Sequence, residues 1–137
     1  MTFFEKSLQD GYARKIESDL FRARNLIKAA HETLLTLKEI SVKEENCKTL
    51  LRELYEAFHQ YCEGIGYLQG YKFESHEVIV YYLRDVLGEE SISQVFDKYR
   101  RLRNDINYYG RDVSLETVKK ALQEIPLSLK RLEKYTR

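Results

Sequence analysis

Hydrophobic positions recur at alternating steps of three and four residues along two long stretches of the chain. The first stretch extends from Ala13 to Leu37 and the second from Cys47 to Leu68. This spacing places apolar side chains on one face of a helix, so each stretch predicts a long amphipathic helix. The apolar positions are Ile16, Leu20, Ala23, Ile27, Ala30, Leu34 and Leu37 in the first stretch, and Cys47, Leu51, Leu54, Phe58, Tyr61, Ile65 and Leu68 in the second. The short polar segment between them, Lys38 to Asn46, favours an antiparallel helical hairpin.

The second half of the chain predicts three further helices, each with a serine that can cap its start. Their expected bounds are Ser75 to Gly88, Ser91 or Ser93 to about Gly110, and Ser114 to about Leu132. The third helix is expected to bury Val78, Ile79, Tyr82 and Val86. The fourth is expected to bury Val95, Tyr99, Leu102, Ile106 and Tyr109.

Glycine and proline interrupt the helical pattern at two places. Gly64, Gly66 and Gly70 weaken the second helix, and Gly70-Tyr71-Lys72 predicts a loop. Pro126 removes a backbone hydrogen bond and clashes with the preceding turn, so it predicts a kink or a break near Ile125.

Together these segments predict one all-α domain over residues 1–137, an antiparallel up-and-down bundle of four to five helices. A chain of 137 residues is long enough to bury one core. Its single proline and six glycines agree with long helices. The net charge is only +1, so any binding of anions has to come from a local patch.

The sequence favours a cytoplasmic protein that does not contact a membrane. Glu5 lies where an export signal needs apolar residues, and the longest apolar run, Val78 to Leu83, is too short to span a bilayer. Cys47 and Cys62 lie about 22 Å apart if they share one helix, which is beyond disulfide reach. No Cys/His cluster with the spacing of metal ligands is present, so we expect two reduced cysteines, no metal and no cofactor.

The fourth predicted helix carries the candidate chemistry. Opposite its apolar side is a polar stripe that spans an arc of roughly 100° and contains Arg100, Arg103, Asn104, Asn107 and Arg111. Arginine side chains match phosphate oxygens, amides can bond a base or a sugar, and Tyr108 can stack on a base. The alternative is a solvated face or a polar subunit interface, because Asp97, Asp105 and Asp112 are close enough to neutralise part of the stripe.

The three histidines are spread along the chain. His31 and His59 flank the first and second apolar faces, so we expect surface or boundary residues. His76 is the best candidate for a proton acceptor, but its position favours a local role at the start of the third helix.

Two segments and the long helical hairpin resemble the HEPN family, and the resemblance covers most of the chain. The segments are Gly70-Tyr71-Lys72-Phe73-Glu74-Ser75-His76-Glu77 and Arg103-Asn104-Asp105-Ile106-Asn107-Tyr108-Tyr109-Gly110. Members of this family are small helical bundles that bind nucleotides or cleave RNA, and many are encoded beside a minimal nucleotidyltransferase. In the ribonuclease members an arginine is followed shortly by a histidine, and both meet their symmetry mates across a dimer interface. Arg103 and Asn104 match that pattern, whereas Tyr108 occupies the histidine position.

The resemblance implies a homodimer that binds a nucleotide, RNA or a minimal nucleotidyltransferase through the polar stripe, in a toxin–antitoxin-like or nucleotide-transfer system. It also makes Tyr108 and Tyr109 candidate acceptors of a nucleotide. The alternative is a metal-independent endoribonuclease that uses Arg103 with Tyr108, or with a histidine from the second subunit. Tyrosine has a pKa of about 10, so on the order of one in a thousand is ionised at pH 7, and it accepts protons poorly. We therefore rank binding above catalysis, with a purely structural interaction module as a third hypothesis.

Overall fold

Helices contain 77% of the residues, which confirms the predicted all-α class. The computed structural model describes the whole chain, Met1 to Arg137. Its regular elements are α1 (Phe3–Asp10), β1 (Ala13–Lys15), α2 (Leu20–Lys38), α3 (Cys47–Gln69), β2 (Tyr71–Phe73), α4 (Glu77–Tyr81), α5 (Glu90–Tyr109) and α6 (Leu115–Leu132). A π-helical turn, Tyr82–Val86, follows α4, and short 3₁₀ turns occupy Glu44–Asn46 and Glu133–Thr136.

Helix α3 is the centre of the bundle and packs against α2, α5 and α6. It is buried around much of its circumference, because Leu50 and Tyr55 are both inaccessible although they point about 140° apart around the helix axis. Its pairing with α2 along their length is the hairpin that the sequence predicts. The bounds of α3 also agree with the prediction within about one residue.

The segment before α2 is a strand, so the predicted first helix begins too early. Ala13, Arg14 and Lys15 pair antiparallel with Phe73, Lys72 and Tyr71, and this pairing also corrects the loop predicted at residues 70–72. Asp19 begins α2 by accepting a hydrogen bond from the Arg22 backbone N–H. Gly70, at a φ of 85°, ends α3 and turns the chain directly into β2. Pairing between distant segments here overrides the local helical spacing.

The predicted third helix begins and ends as expected but changes its geometry midway. Ser75 accepts a hydrogen bond from the Val78 backbone N–H, and the chain turns at Gly88 with a φ of 68°. Between them the π-helical turn widens the helix. This turn rotates the later side chains, so Val86 is exposed and not buried as predicted. The turn also places the Asp85 carboxylate 3.0 Å from the Phe4 backbone nitrogen, which donates a hydrogen bond to it. Phe4 lies at the start of α1, a helix that the sequence pattern did not predict.

Helix α5 begins at Glu90, slightly before either predicted cap. Ser93 is buried and donates its hydroxyl to the Glu90 carbonyl oxygen, so it lies within the first turn and does not cap the helix. Tyr99 and Ile106 are buried as predicted, whereas Tyr109 is exposed. Tyr109 is the last residue of α5, and a residue there is buried only if another element lies beside the final turn, which helical spacing does not reveal.

Helix α6 continues through Pro126, so the predicted break near Ile125 is wrong. Ile125, Leu129 and Leu132 are buried in the core on both sides of the proline. Their burial holds the helix together despite the N–H that proline lacks.

Replacing Pro126 by alanine is expected to raise the free energy of unfolding by about 1–2 kcal/mol, because the new N–H can donate to the Leu122 carbonyl oxygen. Urea unfolding followed by circular dichroism measures this change. The matched control is Leu127→Ala at the exposed neighbouring position, where we expect a change within about 0.5 kcal/mol. A Pro126→Ala protein less stable than the wild type contradicts the prediction.

Cys47 and Cys62 are both buried, and no disulfide joins them. Burial raises the pKa of Cys47, and the nearby Glu44 and Glu45 carboxylates act in the same direction. No helix in the chain is both long enough and apolar enough to cross a bilayer.

Candidate functional site

Arg103 points from α5 toward α3 and α4, where it meets a histidine and a tyrosine. Its Nη2 atom lies 2.8 Å from Nδ1 of His76, and the Tyr55 hydroxyl lies 2.8 Å from the same nitrogen. The guanidinium carbon is 5.0 Å from the centre of the Tyr55 ring, in a cation–π contact. A guanidinium can only donate hydrogen bonds, so Nδ1 of His76 accepts and the neutral ring carries its proton on Nε2.

A second histidine stacks on the first. The rings of His59 and His76 are 3.9 Å apart and inclined by 12°, and the Tyr55 ring lies nearly parallel to both. Tyr55 and His59 are one turn apart on α3, so both project toward the start of α4. We refer to Tyr55, His59, His76 and Arg103 as the Arg103 cluster.

The electrostatics of the cluster keep His76 neutral. Burial lowers its pKa to about 4, and the nearby charges of His59 and Arg103 add to this effect. Burial also raises the pKa of Tyr55. At pH 7 both side chains are therefore uncharged. The Tyr55 hydroxyl donates to Nδ1, which leaves the Nε2–H of His76 as the free donor beside a permanent cation.

Two carboxylates border the cluster on the His59 side. Oε1 of Glu63 lies 3.3 Å from Nδ1 of His59, without hydrogen-bond geometry, and Oε1 of Glu56 lies 3.7 Å from it. The contact with His59 lowers the pKa of Glu56, whereas burial raises that of Glu63. Neither acid forms an ion pair with Arg103.

Arg103 is half-buried and has no carboxylate partner. Its Nε atom is buried and makes no hydrogen bond. The neighbouring arginines of α5 differ, because Asp97 binds both Arg100, at 2.7 Å, and Arg101, at 3.0 Å. The cluster therefore contains an oriented guanidinium with unused donors and no counter-ion.

The predicted polar stripe does not act as one basic face. Asp97 pairs with Arg100 and Asp105 pairs with Arg111 at 3.6 Å, which is the neutralisation that the sequence suggested. Asp112 contacts Lys48 instead, at 3.1 Å. The two amides of the stripe differ in environment: Asn104 is half-buried and Asn107 is exposed, and neither side chain makes a hydrogen bond.

Tyr108 and Tyr109 lie outside the cluster, with 73% and 72% of their surfaces exposed. No hydrogen bond or cation–π contact joins either ring to Arg103, although Tyr109 stacks with Arg111 at 5.6 Å. The imidazole beside Arg103 belongs to His76, far away in the sequence.

The role predicted for His76, a local one at the start of its helix, is wrong. His76 precedes α4, but its side chain makes no capping bond there and contacts Tyr55 and Arg103 instead. His59 is a boundary residue as predicted, and its contact with His76 was not expected. The signal available in the sequence was the pair Tyr55 and His59, one turn apart on the predicted second helix. His31 is exposed, as predicted.

Comparisons with models of protein families, with curated proteins and with solved structures find no match to this chain.

Proposed function

We propose that this chain is a HEPN-like helical domain that binds the phosphate of a nucleotide or of an RNA strand at Arg103. The observation that carries the proposal is the half-buried guanidinium without a carboxylate partner, held by His76 and Tyr55. A partly desolvated cation without a counter-ion is costly, and a phosphate would supply the missing negative charge.

The groups around Arg103 suit an anion. His76 can donate from Nε2 without carrying a charge. Arg100 adds a second guanidinium at the edge of the cluster, although Asp97 already holds it. Asn104 and Asn107 have free amides that can bond a sugar or a base edge.

The surroundings of Arg103 also suit contact with a second protein. The cluster is only half-buried, and the exposed Tyr108 and Tyr109 rings end the same helix. Aromatic rings of this kind are favoured in protein interfaces. The family resemblance suggests a second copy of the chain or a minimal nucleotidyltransferase as the partner, and exposed tyrosine hydroxyls are accessible acceptors for nucleotide transfer.

A metal-independent endoribonuclease is the second candidate, and the imidazole beside Arg103 is the observation that favours it. The geometry supports binding better than cleavage. To act as a general base, a ring needs a free nitrogen lone pair, but both Tyr55 and Arg103 occupy Nδ1. The lowered pKa of about 4 also makes His76 a weak base at pH 7.

The decisive test compares Arg103→Ala with Arg101→Ala. Both variants remove one arginine from α5, but Arg101 is exposed and lies outside the cluster. With a labelled single-stranded RNA at fixed salt, we expect Arg103→Ala to weaken binding by a factor of about 10 or more, the size of a charge-assisted hydrogen-bond pair. We expect Arg101→Ala to weaken it by less than about threefold, as for an exposed charge. Fluorescence anisotropy measures the affinities, and thermal unfolding checks that both variants are folded.

Equal losses in the two variants would show nonspecific attraction by charge and contradict the proposal. The same incubation with a chelator tests the second candidate. RNA cleavage that is lost in both Arg103→Ala and His76→Ala would establish the ribonuclease. A protein that binds neither RNA nor nucleotide, yet forms a stable complex with a partner, would favour the structural module instead.

A further inference from the structure

A cleft of about 410 Å³ lies between α1 and α4. Its aromatic lining comes from Phe3, Tyr12 and Tyr81. Ser75 and Glu77 form part of the same wall, and His76 lies between them in the sequence. Residues 75 to 77 therefore contribute both to the cleft and, through His76, to the Arg103 cluster.

The aromatic wall is exposed and carries a cation. The rings of Phe3 and Tyr81 are 5.3 Å apart, and Phe3 is 62% exposed. The guanidinium of Arg84, which is paired with the Asp85 carboxylate at 2.9 Å, lies 5.1 Å from the centre of the Phe3 ring and 5.4 Å from that of Tyr81. Aromatic faces next to arginine are the usual platform on which proteins stack bases of single strands.

The wall is fixed before any ligand arrives. Asp85 accepts a hydrogen bond from the Phe4 backbone N–H, which attaches the start of α1 to the π-helical turn. Thr2 and Glu5 cap the same helix end reciprocally. The Phe4 ring is buried beside Tyr82, 5.3 Å away. A preorganised stacking surface loses little conformational entropy when it binds.

Polar groups at the edge of the cleft can read a base. The Tyr12 hydroxyl makes no hydrogen bond within the chain, and the Ser75 hydroxyl accepts one from Val78 but donates none. Tyr81 donates to the Glu77 carboxylate at 2.5 Å. This hydrogen bond raises the pKa of Tyr81.

We propose that this cleft holds an unpaired base of an RNA strand whose adjacent phosphate lies at Arg103. The inference rests on the proposed function and narrows it, because the ligand is then a single strand of at least two nucleotides. A base inside the cleft cannot keep its pairing partner. Aromatic side chains with the free hydroxyls of Tyr12 and Ser75 beside them match a base, which offers both a ring face to stack and polar edge atoms to bond.

Substitutions of Phe3 test the inference on the full chain with the same labelled RNA. We expect Phe3→Ala and Phe3→Leu each to weaken binding about tenfold, the size of one lost base stack, and Phe3→Trp to preserve it. Phe21→Ala is the matched control, because Phe21 is 79% exposed on α2 and does not line the cleft. We expect its affinity to equal that of the wild type. Each of the four variants replaces a solvent-exposed phenylalanine, and thermal unfolding verifies that each variant is folded.

A strand of the same length without bases separates the two proposals. Wild type and Phe3→Ala should bind this abasic strand equally, whereas Arg103→Ala should bind both strands weakly. If Phe3→Ala binds the natural RNA like the wild type while Arg103→Ala does not, the cleft inference is wrong and the phosphate site stands. Failure of Phe3→Leu to weaken binding shows a merely apolar contact and also overturns the inference. If the wild type binds no RNA, both proposals fall.

Discussion

A Gly64→Leu protein is expected to unfold with a free energy about 3 kcal/mol below that of the wild type. Gly64 lies in the C-terminal part of α3, where α2 packs against it. A Cβ atom at this position would lie 2.7 Å from Cγ1 of Ile27 and 3.1 Å from the carbonyl oxygen of Ala23. The Ile27 atom moves only if χ1 leaves the rotamer that a helix strongly prefers, and the second atom belongs to the α2 backbone and moves only with the helix. Leucine favours helices more than glycine by nearly 1 kcal/mol, so any loss is due to packing.

Urea unfolding measures the effect, and two further proteins isolate its cause. Glu53→Leu adds the same side chain to an exposed position on α3 and is expected to change stability by less than about 0.5 kcal/mol. Ile27→Ala in the Gly64→Leu background makes room for the new side chain. The double variant should therefore lose less free energy of unfolding than the sum of the losses in the two single variants. Additive losses would show that the contact between Gly64 and Ile27 is not the reason for the loss.

The same contact explains why glycines inside a predicted helix need not end it. Gly64 and Gly66 were expected to weaken the second helix, but both lie well inside α3. A Cβ atom on Gly66 would lie 2.6 Å from the Phe73 ring. These glycines allow close approach between elements, and only the positions of α2 and β2 reveal that role.

Local periodicity predicted α3 and the all-α class because side-chain spacing on a long helix is a local property. It failed where distant segments meet. Ala13 has the spacing of a helix, but its burial comes from pairing with Phe73. Nothing within residues 13–19 encodes the position of β2, so the strand pair was beyond reach of the sequence alone.

The candidate site was predictable in part for the same reason. Arg103 was identified from the polar face of one helix, and the pairing of acids with Arg100 and Arg111 followed from close spacing. The contact with His76 depends on how α4 packs against α5. Helical spacing assigns α3 a single apolar face, whereas in the bundle α3 packs against α2, α5 and α6. Tyr55 lies outside that predicted face and contacts Arg103 of α5.

Acidification is expected to remove about 2 kcal/mol of stability through His76 alone. Its pKa is about 4 in the folded protein against an ordinary value of 6.5, so between these pH values the unfolded chain binds a proton that the folded chain does not. Stability due to this ring is therefore complete above about pH 6.5, falls as the pH decreases toward 4 and levels off below. This lowering of the His76 pKa corresponds to about 3 kcal/mol of stability. We expect about 2 kcal/mol, because water screens a half-buried ring.

The difference in free energy of unfolding between wild type and His76→Gln isolates this effect from the carboxylates that titrate in the same range. Urea unfolding at a series of pH values from 7 to 4 should show that the difference shifts by about 2 kcal/mol in favour of the variant as the pH falls. The matched control is His31→Gln, which removes a histidine from an exposed position outside the Arg103 cluster. His59, Arg103, Arg100 and Glu56 act on the His76 ring, and of these the two arginines keep their charge throughout. Parallel curves for the two histidine variants would mean that the Arg103 cluster tolerates a protonated His76, and the neutral donor assigned to that ring in phosphate binding would then be wrong.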